Sequence, residues 1–329
     1  MFSSRLPFEY RSFSLEGFDP DQLLGVIRDS RFEQRLLHGG GFRVFHQRLV
    51  LGECSLDSGC YSLPIVAQGA FGKEHLAFGI MMASDEPTFI NGHSAATLDI
   101  QVHPPGGELY CRPAKGNWTW AAFLVPLQTF VHAAKRCIDA PLAIPLDRMS
   151  NVRPAPREGN ALVRLVNCAF RAGASARGRA IAELASIDVR EQLLEALVRA
   201  LASADPEVAV RVGVRAERSL RVLQRAEEFL REHADRPYSS EALCLHVCAS
   251  ERALEYAFRN AYGVSPRKWH AVMRLNLARR ELIALGPGDA RVADVATRWG
   301  FYHFGRFSAH YRALFGELPA ATLRLARPR

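Results

Sequence analysis

Two segments of the C-terminal third follow the same plan, and this repetition limits the possible folds more than any other feature of the sequence. Residues 239–266 and 291–319 each contain a short apolar helical stretch, a tight turn, a longer helical stretch and a final Gly-x-x-Pro stop. Apolar residues recur at spacings of three and four in both longer stretches, which is the period of an amphipathic helix. The segments therefore predict two helix-turn-helix units in an all-α C-terminal domain.

The longer helix of the first unit has a recognisable beginning, end and buried face. Ser250 is suited to cap its N-terminus, and Gly263 is suited to the left-handed position at its C-terminus. Leu254, Phe258 and Ala261 lie at spacings of four and three, so we expect them to face the core. The opposite face carries side chains that can meet base edges in a DNA major groove: Arg252, Glu255, Tyr256 and Arg259.

The longer helix of the second unit combines a stripe of rings with a basic side. Phe304, Phe307, Tyr311 and Phe315 follow one another at spacings of three, four and four, which predicts a single stripe facing the core. Gly305 costs about 1 kcal/mol relative to Ala in a helix interior, and close approach to a backbone, of protein or of DNA, is the compensation we expect. The displayed side is formed by Arg306, Ala309 and His310.

The stretch between the two units predicts a rigid spacer. Residues 267–285 form a helical run that, at 1.5 Å per residue, is about 28 Å long. Major grooves on one side of B-DNA recur at roughly 34 Å, so this spacer can hold two reading helices in successive grooves. Arg267 and Lys268 at its start are expected to contact phosphates, which contributes affinity rather than sequence choice.

The net positive charge of the chain arises in the C-terminal region. Residues 211–329 contain 21 Lys and Arg against 12 Asp and Glu, whereas residues 1–210 contain 21 against 22. The net charge of +8 therefore comes from the last third. A basic domain beside a nearly neutral one indicates a polyanion-binding module joined to a domain with a different task.

The first part of the chain has a β pattern. From about residue 40 to 125, short runs rich in β-branched and aromatic residues are separated by Gly, Pro, Asn and Asp. This predicts an all-β domain, most simply a small jelly-roll barrel of the cupin type. After residue 127 the apolar spacing becomes helical. One stripe of leucines there either packs on the barrel or pairs with a second copy of itself: Leu193, Leu194, Leu197 and Leu201.

These patterns together predict an α+β multidomain chain. Residues 1–126 are expected to form a cupin-like effector domain and residues 127–210 a helical linker or dimerisation region. Residues 211–329 are expected to form the all-α domain with two helix-turn-helix units. At 329 residues the chain is long enough for more than one core.

Composition narrows the class of protein further. The N-terminus lacks an apolar run of the secretory type and no stretch approaches bilayer length, so we expect a soluble, cytoplasmic protein with no membrane partner. The seven cysteines lack framework spacing, which fits reduced thiols. Cys244 and Cys248 stand four apart, but no further Cys or His lies at zinc-finger spacing, so core packing is favoured over metal binding.

The C-terminal sequence resembles the AraC/XylS family of bacterial transcription regulators over about residues 215–325. The resemblance rests on ASERALEYAFRNAYGVSPRKW, VADVATRWGF and FGRFSAHYRALFGELP. Within that family, RWGFYHFGRFSAHYRALFGELPAATL is similar to the ethanolamine-operon regulator branch. The resemblance implies operator or promoter DNA, a small-molecule effector, a second copy of the chain and RNA polymerase as partners. Whether the protein activates or represses stays open.

The family also implies particular base-facing residues. These positions fall on Arg252, Glu255 and Tyr256 in the first reading helix, and on Gly305, Arg306 and Ala309 in the second. Gly305 and Ala309 stand where many members carry a long polar side chain. The second helix therefore either reads bases through Arg306, His303 and apolar contact, or chiefly grips phosphates, and specificity then rests mostly on the first helix.

A barrel beside such a DNA-binding domain usually senses a small molecule or mediates dimerisation in this family, and small barrels can hold one ligand. Trp118 and Trp120 differ by two, so on a strand both face one side and can form a cage for an amine or a wall for a ring. Ordinary core packing is the alternative for them. The candidate lining residues are Phe78, His93, His103, Tyr110, Trp118 and Trp120.

The rival interpretation is a metal-dependent cupin enzyme with a basic helical accessory domain. Such enzymes cluster His and a carboxylate, but here His75, His93, His103 and Glu108 are scattered, without a His-x-His pair. The region also lacks Gly-x-Ser-x-Gly and a phosphate-binding glycine loop. We therefore predict no catalytic residues, no metal and no cofactor.

Overall fold

The computed structural model describes residues 8–86, 88–112, 118–138, 144–175, 186–204, 214–285 and 291–325. The expected boundary between residues 210 and 211, and the glycine-rich turn at 286–288, lie outside these residues. Within the described chain the first part is built on two antiparallel sheets, and every element from Val214 onward is a helix.

Twelve strands are present in the described residues. They are β1 (Phe8–Glu16), β2 (Arg31–Leu36), β3 (Arg43–Leu51), β4 (Cys54–Tyr61), β5 (Ile65–Ala70), β6 (His75–Ser84), β7 (Thr88–Ile90), β8 (His93–Ala95), β9 (Ile100–His103), β10 (Glu108–Arg112), β11 (Trp118–Pro126) and β12 (Ser150–Val152).

Ten helices are described as well. They are α1 (Leu127–Cys137), α2 (Pro156–Ala174), α3 (Ser186–Ala202), α4 (Val214–Glu232), α5 (Ser240–Val247), α6 (Glu251–Tyr262), α7 (Pro266–Ala284), α8 (Val292–Arg298), α9 (Phe304–Phe315) and α10 (Pro319–Leu325).

The strands form a sandwich of two sheets. One sheet has seven strands in the order β1-β3-β4-β11-β6-β9-β12, and the other has five in the order β2-β5-β10-β7-β8. In the described chain no ladder of hydrogen bonds joins one sheet to the other, so the sheets do not close into a barrel. The expected β-rich front domain is confirmed, and it is an open sandwich rather than a closed cupin barrel.

The strands extend beyond the predicted region at both ends. β1 and β2 precede residue 40, and β1 pairs with the whole of β3, from Phe8 opposite Leu51 to Glu16 opposite Arg43. β12 follows α1 in the chain and pairs with β9, although it lies beyond Pro126. The seven-stranded sheet is thus completed by residues from the predicted linker region.

Helices α1, α2 and α3 cover the outer face of the seven-stranded sheet. Phe78 on β6 packs against Phe130 on α1, with ring centroids 4.7 Å apart. The leucine stripe of α3 is buried in the same core, together with Leu162 and Val166 of α2. Because these leucines are 0–2% exposed within one chain, they pack on the sheet and on α2, and they do not form a face for a second copy.

The remaining seven helices form the C-terminal domain around α7. Ser265 caps this helix by accepting a hydrogen bond from the N–H of Lys268, and Pro266 occupies its first turn, where a missing N–H costs nothing. Trp269 and Leu282 are buried near its two ends. The sequence-based prediction of a 19-residue helix between the two units is confirmed.

Candidate nucleic-acid interface and ligand cavity

The first unit consists of α5 and α6 and forms as the sequence predicts. The Ser250 hydroxyl accepts a hydrogen bond from the N–H of Ala253 at 3.3 Å, and Gly263 has a φ of +70° at the other end of α6. Leu254 and Phe258 are fully buried, and Ala261 is half-buried. These contacts orient α6 so that its other face is turned away from the core.

The outer face of α6 is open to solvent. Arg252 and Arg259 are exposed, Glu255 is half-buried and Tyr256 is 53% exposed. Arg259 donates a hydrogen bond from Nε to a carboxylate oxygen of Glu255 at 3.2 Å, one turn away. This pair holds the Arg259 guanidinium along the helix, whereas Arg252 stands at the exposed N-terminal end, where reading helices contact bases.

The second unit, α8 and α9, departs from the predicted stripe at one residue. Phe307, Tyr311 and Phe315 are buried as expected, but Phe304 is 47% exposed, so its assignment to the core is wrong. The reason is local: Phe301, just before the helix, packs on Phe307 with ring centroids 5.0 Å apart and takes the place in the core. An aromatic ring therefore stands on the first turn of the exposed face.

The exposed face of α9 carries the other residues that the sequence selects. His303, Gly305, Arg306, Ala309 and His310 are all exposed. A Cβ atom added to Gly305 would meet nothing within 4 Å. The expected close approach of a protein backbone to this glycine is therefore wrong, while an approach by DNA stays a prediction.

The basic residues of the domain divide into two groups. Arg267 and Lys268 are exposed on the first turn of α7, with the Arg267 guanidinium 5.4 Å from the centre of the Tyr238 ring. Arg274 and Arg279 are buried instead. Part of the excess of Arg and Lys in this domain therefore lies in the core and is not available to bind an anion.

Arg279 is the centre of the buried polar network. Its Nη1 donates to Glu317 at 2.8 Å and to the hydroxyls of Tyr311 and Thr322 at 3.2 and 3.3 Å. Its Nε donates to the backbone carbonyl of Phe18 in the front domain. Arg279 lies on α7, and its buried guanidinium bonds with α9, with α10 and with the front domain. It therefore links the second helix-turn-helix unit to the sandwich.

The five-stranded sheet separates an internal cavity from the C-terminal domain. On β10, Leu109 and Cys111 line the cavity, whereas Tyr110 and Arg112 face the helices. The Tyr110 hydroxyl donates to buried Glu227 at 3.0 Å. Alternation along a strand puts successive side chains on opposite faces, so a single layer of backbone lies between the cavity and the helical domain.

Strands β2 and β5 repeat this alternation. Phe32 and Gln34 line the cavity, while the Arg35 guanidinium lies 5.7 Å from the Trp269 ring of α7. On β5, Ala67 lines the cavity and Gln68 accepts a hydrogen bond from Arg231 of α4 at 3.0 Å.

The front domain also contacts the C-terminal ends of both reading helices. Arg112 donates to the backbone carbonyl of Asn260 in α6 at 3.0 Å. Gly39 lies so close to the carbonyl of Ala313 in α9 that a Cβ atom on it would be 1.7 Å from that oxygen. These contacts involve the C-terminal ends of α6 and α9, so they leave Arg252 and Arg306 near the N-terminal ends exposed.

The cavity lies between the two sheets and has a volume of about 70 Å³. Three of the six sequence candidates line it, namely His103, Trp118 and Trp120. Trp118 stacks on Tyr61 at 4.9 Å, and Tyr61 is 6.4 Å from Trp120. The two tryptophans thus share one side of β11, as their spacing predicts.

The other three candidates lie elsewhere. Phe78 packs under α1 on the opposite face of its sheet, Tyr110 faces the C-terminal domain, and His93 is buried on β8 outside the cavity lining. Sequence reasoning missed Tyr61, Phe32 and Phe71, although the alternation of β2 and β4 carried a signal for the first two.

The residues proposed for the rival enzyme do not converge. Among the described residues no group of three His, Cys, Asp or Glu side chains is placed to hold a metal ion. His75 bonds through Nε2 with the backbone carbonyl of Glu53 at 3.0 Å, away from the cavity.

No described helix has the length and apolar character needed to cross a membrane. All seven cysteines are free thiols, with Cys248 exposed.

Comparisons with known proteins assign the C-terminal region. The family model described as "Helix-turn-helix domain" matches residues 243–325. The "Probable thc operon regulatory protein" of Rhodococcus erythropolis is 33% identical over 103 residues, which is 31% of each chain. "XylDLEGF operon transcriptional activator 1" of Pseudomonas putida is 34% identical over 101 residues, covering 31% of this chain and 30% of that one.

One solved structure is similar in sequence as well. "A probable AraC family transcriptional regulator from Rhodopseudomonas palustris CGA009" is 33% identical, with 32% of this chain and 98% of that one covered and a TM-score of 0.30. The chain matches about a third of the length of the curated relatives. The comparisons thus assign residues 243–325 as a helix-turn-helix domain of the AraC/XylS type.

Proposed function

We propose that this protein is a sequence-specific DNA-binding transcription regulator whose DNA binding responds to a small molecule in the cavity between its sheets. The observation that supports the proposal most directly is the pair of exposed helix faces on α6 and α9. They flank a 19-residue helix, and the helix-turn-helix family model matches this part of the chain. At 1.5 Å per residue that helix spans about 28 Å, close to the roughly 34 Å between successive major grooves.

Direct base reading is assigned to exposed residues on both helices. Arg252, with Glu255 and Tyr256 beside it, is the principal reader on α6. On α9, Arg306 and His303 are the polar readers, and Gly305 and Ala309 permit close approach to the groove. Ser250 and His310 lie at the margins of these faces, and Arg259 adds to the first.

Arg267 and Lys268 are assigned to the phosphate backbone. Both are exposed on the first turn of α7, directly after the first unit. Contacts of this kind position the protein on the duplex and make binding depend on salt.

The sheet between cavity and helices supports control by a ligand. Residues on one face of β10 and β2 line the cavity, and their neighbours bond α4, α6 and α7. A ligand that shifts these strands acts on the elements that hold both reading helices.

The proposal assigns residues 1–126 to the sensor, 127–210 to the linker and 211–329 to the DNA-binding region. It also includes formation of a homodimer and contact with RNA polymerase.

Footprinting on the DNA upstream of the protein's own gene tests the proposal. Protection of two major-groove segments on one side of the duplex, about one helical turn apart per protomer, is the expected result. A protein that binds this DNA no better than random DNA of equal length contradicts it. Bound stoichiometric metal without any DNA shift would instead support the cupin enzyme.

A further inference from the structure

The cavity between the sheets has a lining that selects for a narrow class of ligand. Its described walls carry aromatic, aliphatic, amide and sulfur-containing side chains, together with one imidazole, and they include no Lys, Arg, Asp or Glu. An isolated charge buried in such surroundings loses its hydration without compensation, so a charged ligand is disfavoured.

The imidazole is neutral as well. His103 is 1% exposed, its ring lies 4.7 Å from the Phe71 ring, and burial lowers its pKa to about 3. It therefore offers no positive charge to an anion at neutral pH.

Flat rings form much of the wall. Tyr61 and Trp118 stack at 4.9 Å with an angle of 19° between their planes, and Phe32 meets Phe71 edge to face at 5.1 Å. On the scale where one water molecule needs ~10–15 Å³, the volume of about 70 Å³ suits a compact molecule of about one ring.

Three side-chain polar atoms of the lining have no hydrogen-bond partner among the described residues. They are Nε1 of Trp118, which can only donate, Nδ1 of His103, and Oε1 of Gln34, which can only accept. The nitrogens of the lining amides are engaged, because Gln34 donates to the carbonyl of Leu23 and Gln101 donates to Asn151, both at 3.1 Å. Buried polar groups are normally paired, so the three unpaired atoms indicate a polar group on the occupant.

We propose that the cavity binds an uncharged, mainly apolar molecule of about one ring that carries a hydrogen-bond-accepting oxygen. The ring packs between Tyr61, Trp118 and Phe71, and the oxygen accepts from Nε1 of Trp118. A hydroxyl on the ligand also pairs with Nδ1 of His103. The inference rests on the proposed function, because it specifies the class of effector for the same cavity.

A matched series of four probes tests this class by calorimetric titration of the full chain. Benzyl alcohol has the ring and the oxygen, toluene lacks the oxygen, benzoate is an anion and benzylammonium is a cation. We expect benzyl alcohol to bind at least about two- to tenfold more tightly than toluene, because each hydrogen bond that its hydroxyl makes contributes about that factor. Both ions are expected to bind more than ~100-fold more weakly than the alcohol.

Two variants locate the binding to the cavity. Trp118→Phe keeps a ring but removes the donor, so the advantage of benzyl alcohol over toluene should fall by about two- to tenfold. Trp299→Phe in the C-terminal domain should leave the ratio unchanged. Ala122→Leu, at another lining position, fills part of the cavity and should abolish binding of both uncharged probes, with its fold checked by circular dichroism. Should it fail to fold, the four-probe series on the natural chain and Trp118→Phe carry the test.

Several results overturn the inference. Equal or tighter binding of benzoate or benzylammonium removes the neutral class, and retention of binding in folded Ala122→Leu places the ligand elsewhere. Absence of binding by all four probes also overturns it. DNA binding measured on the same preparation separates the two proposals: a footprint without probe binding leaves the proposed function standing, and probe binding without a footprint leaves only the ligand class.

Discussion

The side-chain amide of Asn276 in α7 makes a pair of hydrogen bonds with the backbone of Leu36 at the edge of β2. Its Oδ1 accepts from the Leu36 N–H at 3.2 Å, and its Nδ2 donates to the Leu36 carbonyl at 3.1 Å. The amide satisfies both backbone groups, as a neighbouring strand would. An edge strand of the front domain is thereby completed by the helix that connects the two helix-turn-helix units.

Removal of this amide should loosen the contact between the domains. Asn276→Leu leaves the N–H and carbonyl of Leu36 buried and unpaired, so we expect the free energy of unfolding to fall by about 1–3 kcal/mol. Urea denaturation measures the change. Asn276→Asp keeps the acceptor but places a buried carboxylate against the Leu36 carbonyl, so it should lose at least as much as Asn276→Leu at neutral pH. Equal stability of Asn276→Leu and the natural chain would show that the amide has no structural role.

Gly39 predicts a sharper effect on the second unit. An added Cβ would lie 1.7 Å from the carbonyl oxygen of Ala313, so Gly39→Ala forces the front domain and α9 apart. The expected cost is about 1–3 kcal/mol, as for other overpacked sites. Faster hydrogen exchange in α9 should accompany it. Gly41→Ala is the matched control, because nothing lies within 4 Å of its added Cβ, and identical exchange in the two variants would contradict the assigned contact.

Glu227 should make stability depend on pH. Burial raises its pKa from 4.5 to about 7, against the opposing effects of Arg35 and Arg231, and Glu33 raises it further. The folded state therefore holds this proton more tightly than the unfolded chain does. Between about pH 4.5 and 7 the folded state binds more protons, so stability falls as pH rises and the loss is complete above about pH 7.

Glu227→Gln removes this dependence while keeping an oxygen that can accept from Tyr110. We expect a flatter stability curve between about pH 4.5 and 7 and a more stable protein at pH 8. Thermal unfolding across that range is the measurement. Glu228→Gln, at the exposed neighbouring position, should leave the slope as it is. A slope unaltered by Glu227→Gln would mean that another group titrates.

Phe304 and Phe307 predict opposite outcomes for the same substitution on one helix. Phe307 is 1% exposed, so Phe307→Ala should cost about 3–5 kcal/mol of stability. Phe304 is 47% exposed, so Phe304→Ala should change stability little and weaken operator binding instead, through lost apolar contact with the groove. Denaturation measures the stability of both variants, and fluorescence anisotropy measures their affinity for operator DNA. A large loss of stability for Phe304→Ala would show that the Phe304 ring is part of the core.

Arg252 and Lys268 separate base reading from phosphate contact. Arg252→Ala should weaken operator binding by about 1–3 kcal/mol and barely change binding to random DNA. Lys268→Ala should weaken both about equally and lower the salt slope by about 1. Anisotropy titrations at several salt concentrations measure these effects. Equal losses on both DNAs for Arg252→Ala would exclude base reading by that side chain.

Local signals explain why the helical domain was predictable. Ser250, Gly263 and Pro266 act through the backbone within a few residues of themselves, and the buried positions Leu254 and Phe258 follow from the helical period alone. The stripe of α9 was predictable for the same reason up to its first turn. The prediction for Phe304 failed because Phe301, which lies before the helix and outside its period, packs on Phe307 in its place.

The front domain was predictable as β-rich but not in its arrangement. Alternation shows that Trp118 and Trp120 share a face, but the same rule cannot tell which face meets the cavity and which meets a helix. Tyr110 was expected in the cavity and instead bonds Glu227, 117 residues further along the chain. Phe78 was likewise assigned to the wrong side of its sheet.

The sequence by itself determined two helix-turn-helix units, the helix between them and a β-rich domain ahead of them, because capping, period and turn residues act over short distances. Tertiary structure alone decided that the sheets remain open, that a neutral ring-lined cavity lies between them, and that α7 completes the edge of β2. Those features arise from contacts such as that of Asn276 with Leu36, 240 residues apart, which no local pattern encodes.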